Sequence, residues 1–139
     1  MRILAPIMIT ALLATSGCAA TGTGMAGKSS ADENYVIKKI GEPKSCIMRR
    51  QIRSTDVIDD QTIDFKMING DIYRNNLPNK CSGLGFEEAF SYKTSTSQLC
   101  NVDIIHVLDQ TSGRIEPGMA CGLGKFQKIE KIRKDKSGE

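Results

Sequence analysis

TIDFKMINGDIYRNNL, residues Thr62 to Leu77, is the stretch whose reading decides the fold. Ile63, Phe65 and Met67 alternate with Thr62, Asp64 and Lys66, the period-2 pattern of a strand with one buried face. Asn69-Gly70 follows, a pair that tolerates the positive φ angles of a tight hairpin, and Ile72-Tyr73 open a second run. With Asn69 and Gly70 as the two loop residues, Ile68 faces Asp71, Met67 faces Ile72 and Phe65 faces Arg74. Such a hairpin covers a core from one side. It speaks for a fold and carries no functional signal.

Working outward, Cys46 to Asp59 (CIMRRQIRSTDVID) reads as one strand, entering the hairpin through a turn at Asp59-Asp60-Gln61. Tyr35 to Ile37 gives a short first strand or a turn, and Phe90 to Thr94 alternates again. Asp103 to Leu108 (DIIHVL) is apolar at both parities, which predicts a central strand covered on both faces. Pro78 to Gly83, Thr111-Ser112-Gly113 and Pro117-Gly118 are turn clusters, and Cys121 to Phe126 closes the domain. Short strands separated by turns predict a mainly β protein: an antiparallel meander curled into a small barrel or sandwich. This single domain spans residues 35–127, and residues 128–139 read as a basic, frayed tail.

The N-terminus reads as an address. Arg2 is followed by the apolar run Ile3 to Ala14, too short to span a bilayer and suited to a signal-peptide core. The run ends in Thr15-Ser16-Gly17-Cys18-Ala19-Ala20, which resembles the lipobox of bacterial lipoproteins, with Thr15 where that pattern prefers Leu. The match implies a lipid-modified Cys18 at the head of the mature chain, with removal by ordinary signal peptidase as the alternative. Residues 1–18 are thus a signal peptide, and residues 19–34, small and polar, a flexible tether. Export to the periplasm is expected, with an outer-membrane anchor because Ala19 rather than Asp follows the cysteine.

The cysteines agree with export. There are five, and with Cys18 lipidated an even set remains: Cys46, Cys81, Cys100 and Cys121. A domain of about 90 residues buries only about 60–65% of its unfolded surface, so two disulfides would matter. Four cysteines allow three connectivities; the shortest loop favours Cys81–Cys100, leaving Cys46–Cys121. Chain entropy assigns these about 3 and 4.5 kcal/mol. No two cysteines have the close spacing of a structural zinc site or a C-x-x-C redox motif, so no metal or other cofactor is expected.

Chemistry is sparse elsewhere. His106, the single histidine, shares a strand face with Ile104 and Leu108 and reads as a packing residue. No G-x-S-x-G elbow or papain-like cysteine signature accompanies it, and no glycine-rich phosphate loop is present. Asp56, Asp59, Asp60 and Asp64 lack the spacing of a calcium loop and read as solvated turn carboxylates; Glu87-Glu88 reads as polar surface. Cys81-Ser-Gly-Leu-Gly-Phe86 echoes Cys121-Gly-Leu-Gly-Lys-Phe126, either as two turns carrying cysteines to one core or as paired groove walls. Arg49, Arg50, Arg53 and the tail residues Lys128, Lys131, Arg133, Lys134 and Lys136 are a basic patch able to meet anionic lipid. A net charge of +3 and 5% aromatic residues argue against nucleic-acid binding.

Taken together, CIMRRQIRSTDVIDDQTIDF, IYRNNLPNKCSGLGF, SYKTSTSQLC, DIIHVLD and CGLGKF resemble a family of small exported proteobacterial proteins, frequent in sphingomonad-type bacteria. The resemblance covers Ser45 to Phe126 with all four domain cysteines. It implies export and one compact domain, and names no activity, cofactor or catalytic residue. The expectation is a non-enzymatic lipoprotein or periplasmic module whose partners are the membrane, through Cys18, and an envelope protein. The alternatives are an inhibitor of a hydrolase such as lysozyme, similar in size and tethering to small lipoprotein lysozyme inhibitors but without their motif residues, and, third, a small hydrolase using His106.

Overall fold

The central hairpin forms one residue out of the expected register. In the computed structural model, which describes residues 32–134, β4 (Thr62–Met67) and β5 (Ile72–Asn76) place Phe65 opposite Tyr73 and Asp64 opposite Arg74. The turn is wider than two residues. Gly70 N–H donates to the Met67 carbonyl and Met67 N–H to the Asp71 carbonyl, with Gly70 at φ +89°. A turn ending in a left-handed glycine matches the twist of the strands it joins. Asn69 Oδ1 braces it by accepting from Asp71 N–H at 3.1 Å. The expected signal peptide with Cys18, residues 19–31 of the expected tether, and residues 135–139 lie outside the described residues.

β3 (Ile52–Asp59) flanks β4, completing a meander with β5. The chain then leaves this sheet and returns as β10 (Phe126–Arg133), which lies between β5 and β1 (Tyr35–Lys39). The resulting order is β1-β10-β5-β4-β3, antiparallel throughout. β10 corrects the expected tail. Its backbone is bonded on both sides, and Phe126 and Ile129 are buried, so the domain runs on through Arg133. The end of the expected tether also belongs to the domain: Asp32 is buried, and the Asn34 carbonyl accepts from Lys134 N–H.

The second layer holds β6 (Phe90–Tyr92), β8 (Ile104–Asp109) and β9 (Glu116–Gly122) in the order β6-β8-β9, with β2 (Cys46–Met48) paired to β7 (Gln98–Cys100). The single strand expected over Cys46 to Asp59 is therefore two. A 3-10 turn at Arg49–Gln51 separates β2 from β3 and carries the chain from one sheet to another. Ile63, Phe65, Met67, Tyr73 and Phe126 face Ile47, Leu99, Ile105 and Val107 across the core. Phe65 meets Phe126 edge to face at 5.4 Å between centroids, an arrangement the ring quadrupoles favour. The architecture is mainly β and sandwich-like, with no closed barrel.

Both staples form, with other partners than loop length suggests. The disulfides are Cys46–Cys100 and Cys81–Cys121, not Cys81–Cys100 and Cys46–Cys121. Strand pairing decides the first: Cys46 lies directly opposite Cys100 in the β2–β7 ladder, with Cα atoms 4.0 Å apart. The second joins the two echoed Gly-Leu-Gly segments at their cysteines. Leu84 and Leu123 of those segments are both core residues, so each is a turn that delivers a cysteine and a leucine. The loops are crossed, with separations of 54 and 40 residues, each worth about 4 kcal/mol by chain entropy. Two such bonds are consistent with an exported, oxidising compartment.

Candidate functional site

β8 is central in its sheet, as DIIHVL predicts, but it is covered on one side only. Ile105 and Val107 point into the core, while Ile104 and His106 point outward. The ladder sets Ser91 of β6 and Ala120 of β9 directly beside His106 on this outer face. Val102 and Ile104 are 81% and 52% exposed. Together with Ser91, Lys93, His106 and Pro117 they line an open groove of about 520 Å³.

Asp103 lines the same groove, so serine, histidine and aspartate share one concavity. They are not wired as a catalytic relay. Asp103 Oδ2 accepts the Cys100 N–H at 2.7 Å and so holds the turn that leads into β8. Among the described residues the side chains of Ser91 and His106 form no hydrogen bond with each other or with Asp103. The first bond is the one by which a histidine activates a hydroxyl as general base, and the second is the one that orients the imidazole. The groove is lined by apolar and polar side chains together. His106 is thus neither a core packing residue nor part of an assembled relay.

A second cluster lies on the five-stranded sheet, on the face opposite the core side chains of β4. Asp64, 0% exposed, receives Arg74 Nε at 2.7 Å and Nη2 at 2.8 Å, and Lys131 Nζ stands 2.8 Å from its Oδ2. Asp32 closes the group, 2.7 Å from Arg74 Nη2 and 3.2 Å from Lys131 Nζ. Two carboxylates thus meet two cations, and the register that sets Asp64 opposite Arg74 creates the site. Burial, the largest influence on Asp64, pushes its pKa up; the hydrogen bonds and charges of Arg74 and Lys131 outweigh it and hold the carboxyl below its ordinary value. Burial likewise pushes Lys131 down, and Asp64 and Asp32 more than restore it, leaving the ammonium above its ordinary value.

This cluster overturns two expectations. Asp64 is no solvated turn carboxylate, and its neighbours have separate tasks. Asp59 Oδ1 accepts Gln61 N–H, Asp60 Oδ1 accepts Gly85 N–H, and Asp56 pairs with Lys66. Nor is the basic patch free. Lys131 is held by Asp64 and Asp32, and Lys128 by Asp71 at 2.8 Å, leaving Arg49, Arg50, Arg53, Arg133 and Lys134 as its exposed part among the described residues, the Lys134 ammonium donating to the Glu33 carbonyl. Glu87 accepts the Gln110 N–H, while Glu88 is exposed with a left-handed backbone at φ 51°. Alternation cannot reveal a buried aspartate on a polar face; only the hairpin register does.

Among the described residues no group of histidine, cysteine and carboxylate side chains is arranged to hold a metal ion, and no helix is long and apolar enough to cross a membrane. No protein-family model, curated protein or solved structure matches the chain.

Proposed function

We propose that this protein is a non-enzymatic binding module of the cell envelope, tethered to the outer membrane through a lipid on Cys18. Its contact surface is the outer face of β8. The observation that carries this reading is the open groove around the exposed Val102 and Ile104 and His106, on a sandwich cross-linked by two disulfides. Exposed apolar surface beside polar groups suits recognition of another protein. The serine, histidine and aspartate that share the groove lack the hydrogen bonds of a hydrolase. The test is capture from envelope extracts with the wild type and with Ile104→Asp. A partner retained by the first and lost by the second, with equal melting temperatures, supports the reading. Identical captures, or ester hydrolysis that depends on His106, would end it.

One observation favours a second reading, inhibition of an envelope hydrolase. Every residue from Gln110 to Ala120 is exposed, and Ile115 at the head of this β8–β9 hairpin is 69% exposed. A projecting hairpin on a cross-linked sandwich is a shape suited to enter an active-site cleft. Titrating lysozyme with the protein and with Ile115→Asp distinguishes this reading from the first.

A further inference from the structure

The ion cluster has an asymmetry in its origins. Asp64, Arg74 and Lys131 belong to paired strands, whereas Asp32 precedes β1 and reaches the cluster from the incoming chain. Arg74 is already bonded at two nitrogens by Asp64, and Lys131 is bonded by the same carboxylate. Without Asp32 the three strand residues carry one net positive charge, mostly shielded from water. Asp32 supplies the compensating carboxylate, and its fit is incomplete: Oδ1 is buried and makes no hydrogen bond, with Lys131 Nζ as its ion-pair neighbour at 3.2 Å. An open cavity of about 460 Å³ adjoins the cluster, lined by Lys131, Lys66, Tyr35 and Thr55.

We infer that Arg74 and Lys131 form a carboxylate-binding site whose resident ligand is the protein's own Asp32. A guanidinium and an ammonium converging on one carboxylate are the elements by which proteins recognise such groups. Occupation in cis docks the incoming chain on the sheet beside β10, where Asn34 and Glu33 carbonyls also receive the Lys134 backbone and side chain. A carboxylate from outside competes for the same two cations, so filling the site and docking the incoming chain are alternatives.

The experiment uses the disulfide-bonded protein carrying Asp32→Ala, with sodium formate as probe and ionic strength held constant with sodium chloride. Melting temperature is followed against formate concentration. The variant is expected to gain stability along a saturation curve, reaching about 5–10 °C at formate concentrations about ten times its Kd. The wild type, its site filled, shows no saturable gain over the same range. Adding Lys131→Met to the variant cancels the excess charge, and the formate response is expected to vanish. If Asp32→Ala fails to fold in chloride, recovery of folded protein with formate replaces the melting readout. An equal response in wild type and variant, a response that survives Lys131→Met, or no response and no recovery would each overturn the inference.

Discussion

Replacing Asp64 by alanine separates a buried charge cluster from the solvated carboxylate that the sequence pattern suggests. Asp64 is 0% exposed, and the side chains of Arg74 and Lys131 are 13% and 16% exposed. Removing one partner from a buried pair costs about 3–5 kcal/mol, because the remaining charge stays dehydrated. Here Asp32 remains to compensate one cation, and the residual exposure of both lets water reach them. The lower end, about 3 kcal/mol, is therefore the expected loss. An exposed turn aspartate would cost about 0.5 kcal/mol or less. Urea unfolding of the oxidised protein measures the difference as a fall in midpoint at constant slope. As an internal control, Asp32→Ala and Asp64→Leu with Arg74→Met and Lys131→Leu remove all four charges together and should lose far less than Asp64→Ala. A loss below about 1 kcal/mol for Asp64→Ala would refute the buried cluster, since that is the range of an exposed pair.

The same cluster sets a pH profile. Asp64 titrates below its ordinary 3.8 when folded, so its contribution is fully present above that pH and is lost as pH falls through the folded value. Lys131 is raised above 10.5, so its contribution is present below that pH and lost on the alkaline side. Melting temperatures should hold between these limits and fall at both ends, and in Asp64→Ala the acid fall should shrink. Gly124→Ala would place a Cβ 2.0 Å from the Asn76 carbonyl oxygen, and it should cost about 1–3 kcal/mol in a urea titration. Cys81→Ser with Cys121→Ser opens the 40-residue loop and should lower stability by about 4 kcal/mol by the same measurement.

Alternation in TIDFKM and the turn propensity of Asn-Gly were enough to place the hairpin, its buried face and the mainly β class. They could not place the register, because two-residue and three-residue turns share the same Asn-Gly signal and differ only in which backbone groups bond. That single residue brings Asp64 to Arg74 and so hides the charge cluster from a linear reading. DIIHVL was legible as a central strand, but a second covering layer is a property of the partner sheets, not of the strand. Its uncovered outer side is what makes the groove. Disulfide pairing was beyond reach for a related reason. Loop entropy ranks connectivities by separation, whereas Cys46 and Cys100 are joined by lying opposite each other in the β2–β7 ladder. β10 looked like a basic tail because its lysines are frequent, yet Lys128 and Lys131 each answer a carboxylate of the β4–β5 hairpin, Asp71 in its turn and Asp64 in β4.

Mass analysis of the protein extracted from bacterial membranes, alkylated before and after reduction and then digested, tests the central claim in one measurement. The account expects a lipid-sized mass on a chain beginning at Cys18, no free thiol before reduction, and cross-linked peptides joining Cys46 to Cys100 and Cys81 to Cys121. An unlipidated N-terminus downstream of Cys18, free thiols in the unreduced protein, or a Cys81–Cys100 peptide would contradict it.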